Sequence, residues 1–189
     1  MNNSGRFPQQ RVGVFVDVQN MYYSARALHN KKVNFASLLE EAVAGRQLVR
    51  AIAYGITTEE AHEEEFHEAL AKQGFEVKTK PLQIFIGGQK KGDWDVGIAI
   101  DLLRLANKID VAVLASGDGD FVPLVEYGKH NGLRMEGISF RESTSSHLVE
   151  ALDSFTDLSA GNKKFLISAG RSSKGSTASS PRRAPKIFS

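Results

Sequence analysis

Two short segments of this chain, Val12–Val16 and Val111–Ala115, carry an apolar residue or glycine at every position. A strand of that composition has no solvent face, so both of its sides must be covered. That requirement points to a parallel sheet with helices packed on each face. The rest of the pattern agrees. Strand-like stretches at 12–17, 48–54, 75–80, 110–115 and 133–138 alternate with helix-like stretches at 20–29, 34–44, 59–73, 94–107, 119–131 and 144–153. Such alternation is the mark of βαβ units. Thr57-Thr58-Glu59-Glu60 reads as a capping box for the helix at 59–73, with acids at the positive end of its dipole. Gly74 ends that helix, and Lys129-His130-Asn131-Gly132 closes the helix before the fifth strand.

Composition along the strands also suggests their order. Phe75–Lys80 and Leu133–Glu136 alternate apolar with charged residues, as half-exposed edge strands do. The second strand, Leu48–Tyr54, carries only Arg50 and belongs inside the sheet. The expected fold is therefore α/β, with a mainly parallel five-stranded sheet in the order 3-2-1-4-5. A flavodoxin-like 2-1-3-4-5 order would leave the second strand at an edge. In 3-2-1-4-5 the sequence of strands reverses between the first and the fourth, so a ligand crevice opens at their carboxyl ends.

Those two ends are acidic. The first strand runs into Asp17-Val18-Gln19-Asn20, and the fourth into Ser116-Gly117-Asp118-Gly119-Asp120-Phe121. Neighbouring strands lie about 5 Å apart, so Asp17 and Asp118 would repel unless a cation or a proton stood between them. A cation is the preferred reading. Asp17 alone is equally explained as a helix cap. One aspartate would also satisfy capping after the fourth strand; a second, flanked by two glycines, exceeds that need. A third element is Lys90-Lys91-Gly92-Asp93-Trp94-Asp95, where Asp93 suits a helix N-cap and Asp95 falls in the first turn, facing the crevice. Asp101 lies on another face and is expected to be solvated or paired with Arg104. Magnesium suits such a set, because it takes a few carboxylates together with water and phosphate oxygens. A bound ion would polarise a phosphodiester and activate water, as in a nuclease. Whether one ion binds or two is open. Asn20 and Ser116 are supporting residues, and Lys90 and Lys91 are candidates for contact with a nucleic-acid backbone.

Other chemistries fit less well. The histidines of His62-Glu63-Glu64-Glu65-Phe66-His67 are five residues apart, roughly 140° from one another on a helix, and so make a poor zinc pair. There is no nucleophile elbow, no P-loop and no complete dinucleotide fingerprint. The chain has no cysteine, which removes thiolate sites and disulfides and fits a reducing cytoplasm. Residues 1–10 are polar, without the apolar core of a signal peptide, and no stretch approaches the ~20 apolar residues of a membrane span. A soluble, cytoplasmic protein is expected.

Charge is divided sharply. All 22 acidic residues lie at or before Asp157, while residues 159–189 hold seven Lys or Arg. Residues 1–158 therefore carry 17 basic against 22 acidic residues, a formal −5 beside a +7 segment. Residues 1–10 are expected to be a flexible N-terminus, 11–158 the domain, and 159–189 a disordered basic tail, either an electrostatic hold on nucleic acid or another anionic partner or a solubilising extension.

At Phe15-Val16-Asp17-Val18-Gln19-Asn20, at Lys91-Gly92-Asp93-Trp94-Asp95-Val96 with Asp101, and at Ser116–Phe121, the chain resembles the NYN domains of the LabA-like group. These are relatives of the PIN-domain ribonucleases. The resemblance spans about 11–158, ending in the stretch Ser143–Leu158. It implies a three-layer, Rossmannoid, PIN-like fold, acidic ligands at Asp17, Asp95, Asp118 and Asp120, Mg2+ or Mn2+ as cofactor, and RNA as substrate. Many relatives have one acid in the lysine-glycine segment. Either Asp93 or Asp95 can take that place, and Asp95 is preferred. Asp118 is the first-choice ligand, with Asp120 an outer member or a ligand of a second ion. The expected function is a metal-dependent ribonuclease. The alternatives are a non-catalytic RNA-binding module and a metal-dependent nucleotide phosphatase. Homo-oligomer formation is left open.

Overall fold

Strands and helices alternate through the computed structural model, which describes residues 5–57, 62–84, 90–91 and 93–168. The chain begins with β1 (Arg11–Asp17), α1 (Val18–His29), β2 (Lys31–Val33) and α2 (Phe35–Val43). It continues through β3 (Gln47–Thr57), α3 (His62–Lys72) and β4 (Glu76–Pro81) to a two-strand arm, β5 (Gln83–Ile84) and β6 (Lys90–Lys91). Then come α4 (Asp95–Leu105), β7 (Val111–Ala115), α5 (Val122–His130) and β8 (Arg134–Ser139). The last elements are α6 (Ser146–Ala151), β9 (Ser154–Asp157), α7 (Asn162–Phe165) and β10 (Leu166–Ser168). The capping box expected at 57–60 lies mostly outside the described residues.

The main sheet has the order β4-β3-β1-β7-β8-β9, parallel throughout. For the five strands anticipated from sequence this is 3-2-1-4-5. The sixth strand was not anticipated, because Ser154-Phe155-Thr156-Asp157 has no apolar run and is half-buried at each position. Its pairing makes β8 an interior strand, buried at five of six positions, rather than the expected edge. The charge that suggested an edge, Glu136, is 2% exposed. Its carboxylate accepts a fork of hydrogen bonds from Arg46 at 3.1 and 2.9 Å and another from Arg134 at 2.8 Å. Burial alone would raise Glu136, but these arginines outweigh it and hold the carboxyl below its usual range. Removing Arg46 from a pair this buried would cost about 3–5 kcal/mol.

Helices cover both faces. On one side Val14, Val16 and Val113 pack against Met21 and Ala25 of α1 and Leu38 of α2. On the other, Phe15, Ile52 and Leu114 meet Ile98 and Leu102 of α4 and Val125 of α5. Alternate positions of β1 and β7 feed the two cores, which is why Val12–Val16 and Val111–Ala115 carry no polar residue. No helix among the described residues is long and apolar enough to cross a membrane.

Both ends of the domain extend beyond the expected boundaries. Within 5–10, expected to be flexible, Arg6 bonds Glu41 at 3.3 Å and Thr156 at 3.2 Å, and Gln10 donates to the Gly5 carbonyl. Residues 159–168, expected in the disordered tail, are built into the fold. There β10 pairs antiparallel with β2, and Phe165 and Leu166 are buried in the core. Two apolar side chains offset the basic composition that had marked this stretch as tail. Residues 169–189 lie outside the described residues.

Candidate metal centre

The carboxyl ends of β1 and β7 form the floor of the acidic site. Register pairs Asp17 with Tyr54 of β3 on one side, and Val16 with Ala115 of β7 on the other. The residue that follows opposite Asp17 is thus Ser116, not Asp118. Ser116 is 1% exposed, and its hydroxyl donates to Asp17 Oδ2 at 3.4 Å while accepting from the Asp118 N–H at 3.2 Å. One buried hydroxyl therefore ties the two strand ends together.

Asp17 does cap α1: its Oδ1 accepts from the Asn20 N–H at 3.0 Å. Asn20 in turn accepts the Gly117 N–H on its own Oδ1 at 2.9 Å, clasping the helix start to the aspartate turn. Capping thus accounts for one Asp17 oxygen, and the other takes the Ser116 bond. Burial raises the Asp17 carboxyl to about 6, the charges of Asp95 and Asp118 push the same way, and the Asn20 and Ser116 bonds only partly oppose them.

The turn after β7 is a 3-10 segment, Gly119–Phe121, capped by Asp118, whose Oδ1 accepts from the Asp120 N–H at 3.0 Å. Neither Gly117 nor Gly119 has a positive φ, so backbone freedom does not explain them. A Cβ at Gly117 would stand 2.8 Å from the Ser143 carbonyl oxygen, and one at Gly119 2.8 Å from Ser145 Oγ. These glycines let the 143–145 segment press against the turn. The Ser145 N–H donates to the Gly117 carbonyl at 3.0 Å and fixes the contact.

Asp95 arrives from the third element. Its helix starts one residue later than expected, with the cap position at Trp94 rather than Asp93 and no side-chain cap bond. Trp94 anchors that start. Its Nε1 donates to the Gly55 carbonyl at 2.7 Å, and its ring packs on Tyr54 with centroids 5.3 Å apart and on Gly97, where a Cβ would lie 2.5 Å from it. Lys80 stands over the indole, 4.8 Å from its centre, and donates to the Asp93 carbonyl. Burial raises the Asp95 carboxyl, reinforced by Asp118, Asp93 and Asp120, and Lys80 relieves part of this.

Single carboxylate oxygens of Asp95, Asp118 and Asp120 lie within 4.8 Å of one another. Asp95 and Asp118 are half-buried and Asp120 is exposed. Asp17 sits beside this trio and is coupled to two of its members by charge, but does not belong to it. Asp93 is exposed at the rim. Lys90 and Lys91 lie on the β5–β6 arm, paired with Ile84 and Gln83, a few residues before Asp95.

The family model of the NYN domain matches residues 11–159. The chain belongs to the NYN-domain family. This NYN domain is 26% identical over 163 residues to the Low amplitude and bright protein LabA of Synechococcus elongatus, covering 80% of this chain and 86% of that one. It also matches the crystal structure of a protein of unknown function from Vibrio parahaemolyticus, with a TM-score of 0.78 and 32% identity. That likeness covers 86% of this chain and 99% of the other.

Around its acidic cluster the NYN domain holds a second polar set that sequence reading missed. Asp101, expected to be solvated or paired with Arg104, is buried. It accepts from Lys78 Nζ at 2.7 Å and Tyr54 Oη at 2.9 Å, which were not anticipated, while the expected ion pair with Arg104 is present at 3.6 Å. Burial would raise Asp101, yet the Lys78 and Tyr54 bonds prevail and keep it ionised below its usual range. This carboxylate is neutralised within the protein; those of the trio are not hydrogen-bonded to a lysine or arginine among the described residues. The only available signal was Tyr54, a hydroxyl-bearing residue in the apolar stretch Ala51–Tyr54.

Proposed function

We propose that this NYN domain is a metal-dependent ribonuclease, hydrolysing RNA phosphodiesters at the aspartate cluster with Mg2+ or Mn2+. The observation that carries the reading is the convergence of Asp95, Asp118 and Asp120 from two separate segments onto one small volume. An all-oxygen, carboxylate-rich set is the donor chemistry that hard divalent cations take. Burial first, and then the neighbouring carboxylates, raise Asp17 and Asp95, so keeping these groups ionised without a cation costs free energy. A divalent ion bound there would polarise the scissile phosphodiester and offset charge developing on it.

The protein's own groups divide the remaining work. Asp95 and Asp118 would hold the ion, with the exposed Asp120 available as a further donor. Asp17 would be a further ligand or would accept the proton that the attacking water loses. Ser116, Asn20 and Trp94 touch no substrate in this reading; they position Asp17, Asp118 and Asp95. Lys90 and Lys91 lie on an arm that leads directly to α4, which favours contact with a nucleic-acid backbone. The lack of cysteine suits the reducing cytoplasm in which we place the activity.

The test is a cleavage panel of single- and double-stranded RNA and DNA, each with EDTA, Mg2+ or Mn2+. Metal-dependent cleavage of RNA, abolished by EDTA, is expected. RNA that is bound but intact under every metal would replace the reading with a binding module. Phosphate release from mononucleotides, with RNA left whole, would replace it with a phosphatase.

A further inference from the structure

Helix α1 leaves the acidic site with its inner face accounted for: Val18, Met21, Ser24 and Ala25 are buried. Its outer face holds two large aromatics that pack into neither core. Tyr23 is 63% exposed and Tyr22 38%, and their rings meet edge to face with centroids 5.5 Å apart. Folding gives no reason for two neighbouring tyrosines in solvent, since a polar residue there would leave both cores intact.

The surroundings specify the occupant. Between Asp17 and Glu40 there is no acidic residue, although residues 1–158 carry a net −5. The same stretch exposes Arg26, one turn beyond the tyrosines, and then Lys31 and Lys32. Exposed rings interleaved with cations are how proteins hold single-stranded nucleic acid: bases stack on the rings while cations follow the phosphates. Position matters too. The N-cap of α1 is Asp17 itself, and Tyr22 and Tyr23 follow about 8–9 Å along the helix axis. Nucleotides beside a phosphodiester at the cluster would pass over them.

We infer that the outer face of α1, through Tyr22, Tyr23 and Arg26, is a stacking platform for single-stranded RNA flanking the cleavage site. The inference rests on the ribonuclease reading for its choice of RNA, but its binding test is separate from cleavage. Stacking needs unpaired bases, so the platform selects single strands over duplex; the stacked pairs of a helix offer it no free face.

Fluorescence anisotropy of the full chain with a labelled single-stranded RNA, and with a duplex of equal length, tests the platform. EDTA keeps metal-dependent cleavage out of the measurement, and salt near ~0.2 M suppresses backbone contacts relative to stacking. Tyr23→Ala should weaken single-strand binding roughly five- to a hundredfold, the range for losing one stacked base, and change duplex binding less than about twofold. Tyr23→Phe, which keeps the ring, should retain the wild-type affinity. Single-strand affinity unchanged in Tyr23→Ala would overturn the platform, as would equal losses on both RNAs. Loss of self-association with RNA affinity intact would assign the face to a second copy of the chain and overturn it as well. Tyr23-dependent binding in a protein that cleaves nothing would support the platform while removing the ribonuclease reading.

Discussion

Asp17 keeps its proton to about pH 6 in the folded chain, because burial and the neighbouring carboxylates both penalise its ionised form. An unfolded chain releases the same proton near the ordinary value of 3.8. The folded state therefore binds that proton more tightly, and Asp17 favours folding most at pH values below 3.8. Its contribution is lost as pH rises toward 6 and stays lost above it. Asparagine can still cap α1 but carries no charge. Asp17→Asn should accordingly raise metal-free stability at pH 7.5 by about 1–3 kcal/mol, with the difference vanishing near pH 4. Urea unfolding in EDTA at the two pH values measures this; equal stability at pH 7.5 would mean that the charge is neutralised without an ion. At this scale the meeting of Asp95, Asp118 and Asp120 in space was legible in the sequence, because acids just after strands or at helix starts fall on one rim of an α/β sheet. Asp101 was not. Whether a helical aspartate meets water or a lysine depends on Lys78 of β4 and Tyr54 of β3, which no spacing marks.

Glycines in the aspartate turn show how an element's fit sets the geometry of a site. Gly117 is held against the backbone at 143–145, and the turn between β7 and α5 has no room for a methyl group there. Gly117→Ala should destabilise the fold by about 1–3 kcal/mol as the 143–145 segment is pushed away. It should also lower metal affinity, because Asp118 hangs from the same turn. Thermal melting with a Mn2+ titration checks both; wild-type metal affinity in this variant would show that the packing does not position Asp118. Among the elements, the fully apolar β1 and β7 were the easiest to place, since only a sheet centre accommodates them. The sixth strand was hidden by its length and mixed composition. The misreading of β8 as an edge followed directly, for Glu136 looks solvated until Arg46 is brought to it from 90 residues away.

At the level of the whole molecule, folded structure continues eleven residues past the last acidic residue. Acidic residues end at Asp157, yet the fold runs through Ser168. Truncation after Leu158 should destabilise the domain severely, with about 3–5 kcal/mol from losing buried Phe165 alone. Truncation after Ser168 removes five of the seven cations beyond residue 158. It should lower the slope of log affinity for single-stranded RNA against log salt by up to about 3.5. An unchanged slope would show that those five cations contact no phosphate.

These scales meet in the claim that the aspartate cluster cleaves RNA with the help of a divalent ion. Asp118 is its centre: it caps its own turn, bonds the Asp120 N–H and faces Asp95 across the cluster. The decisive measurement compares RNA cleavage by the wild-type chain and by Asp118→Asn, at equal folded fraction, in Mg2+ or Mn2+ and in EDTA. Asparagine keeps the cap and removes the charge. We expect wild-type cleavage that EDTA abolishes and a loss greater than about a hundredfold in the variant, beyond what losing a partner of a ligand causes. Undiminished metal-dependent cleavage by Asp118→Asn would contradict the account.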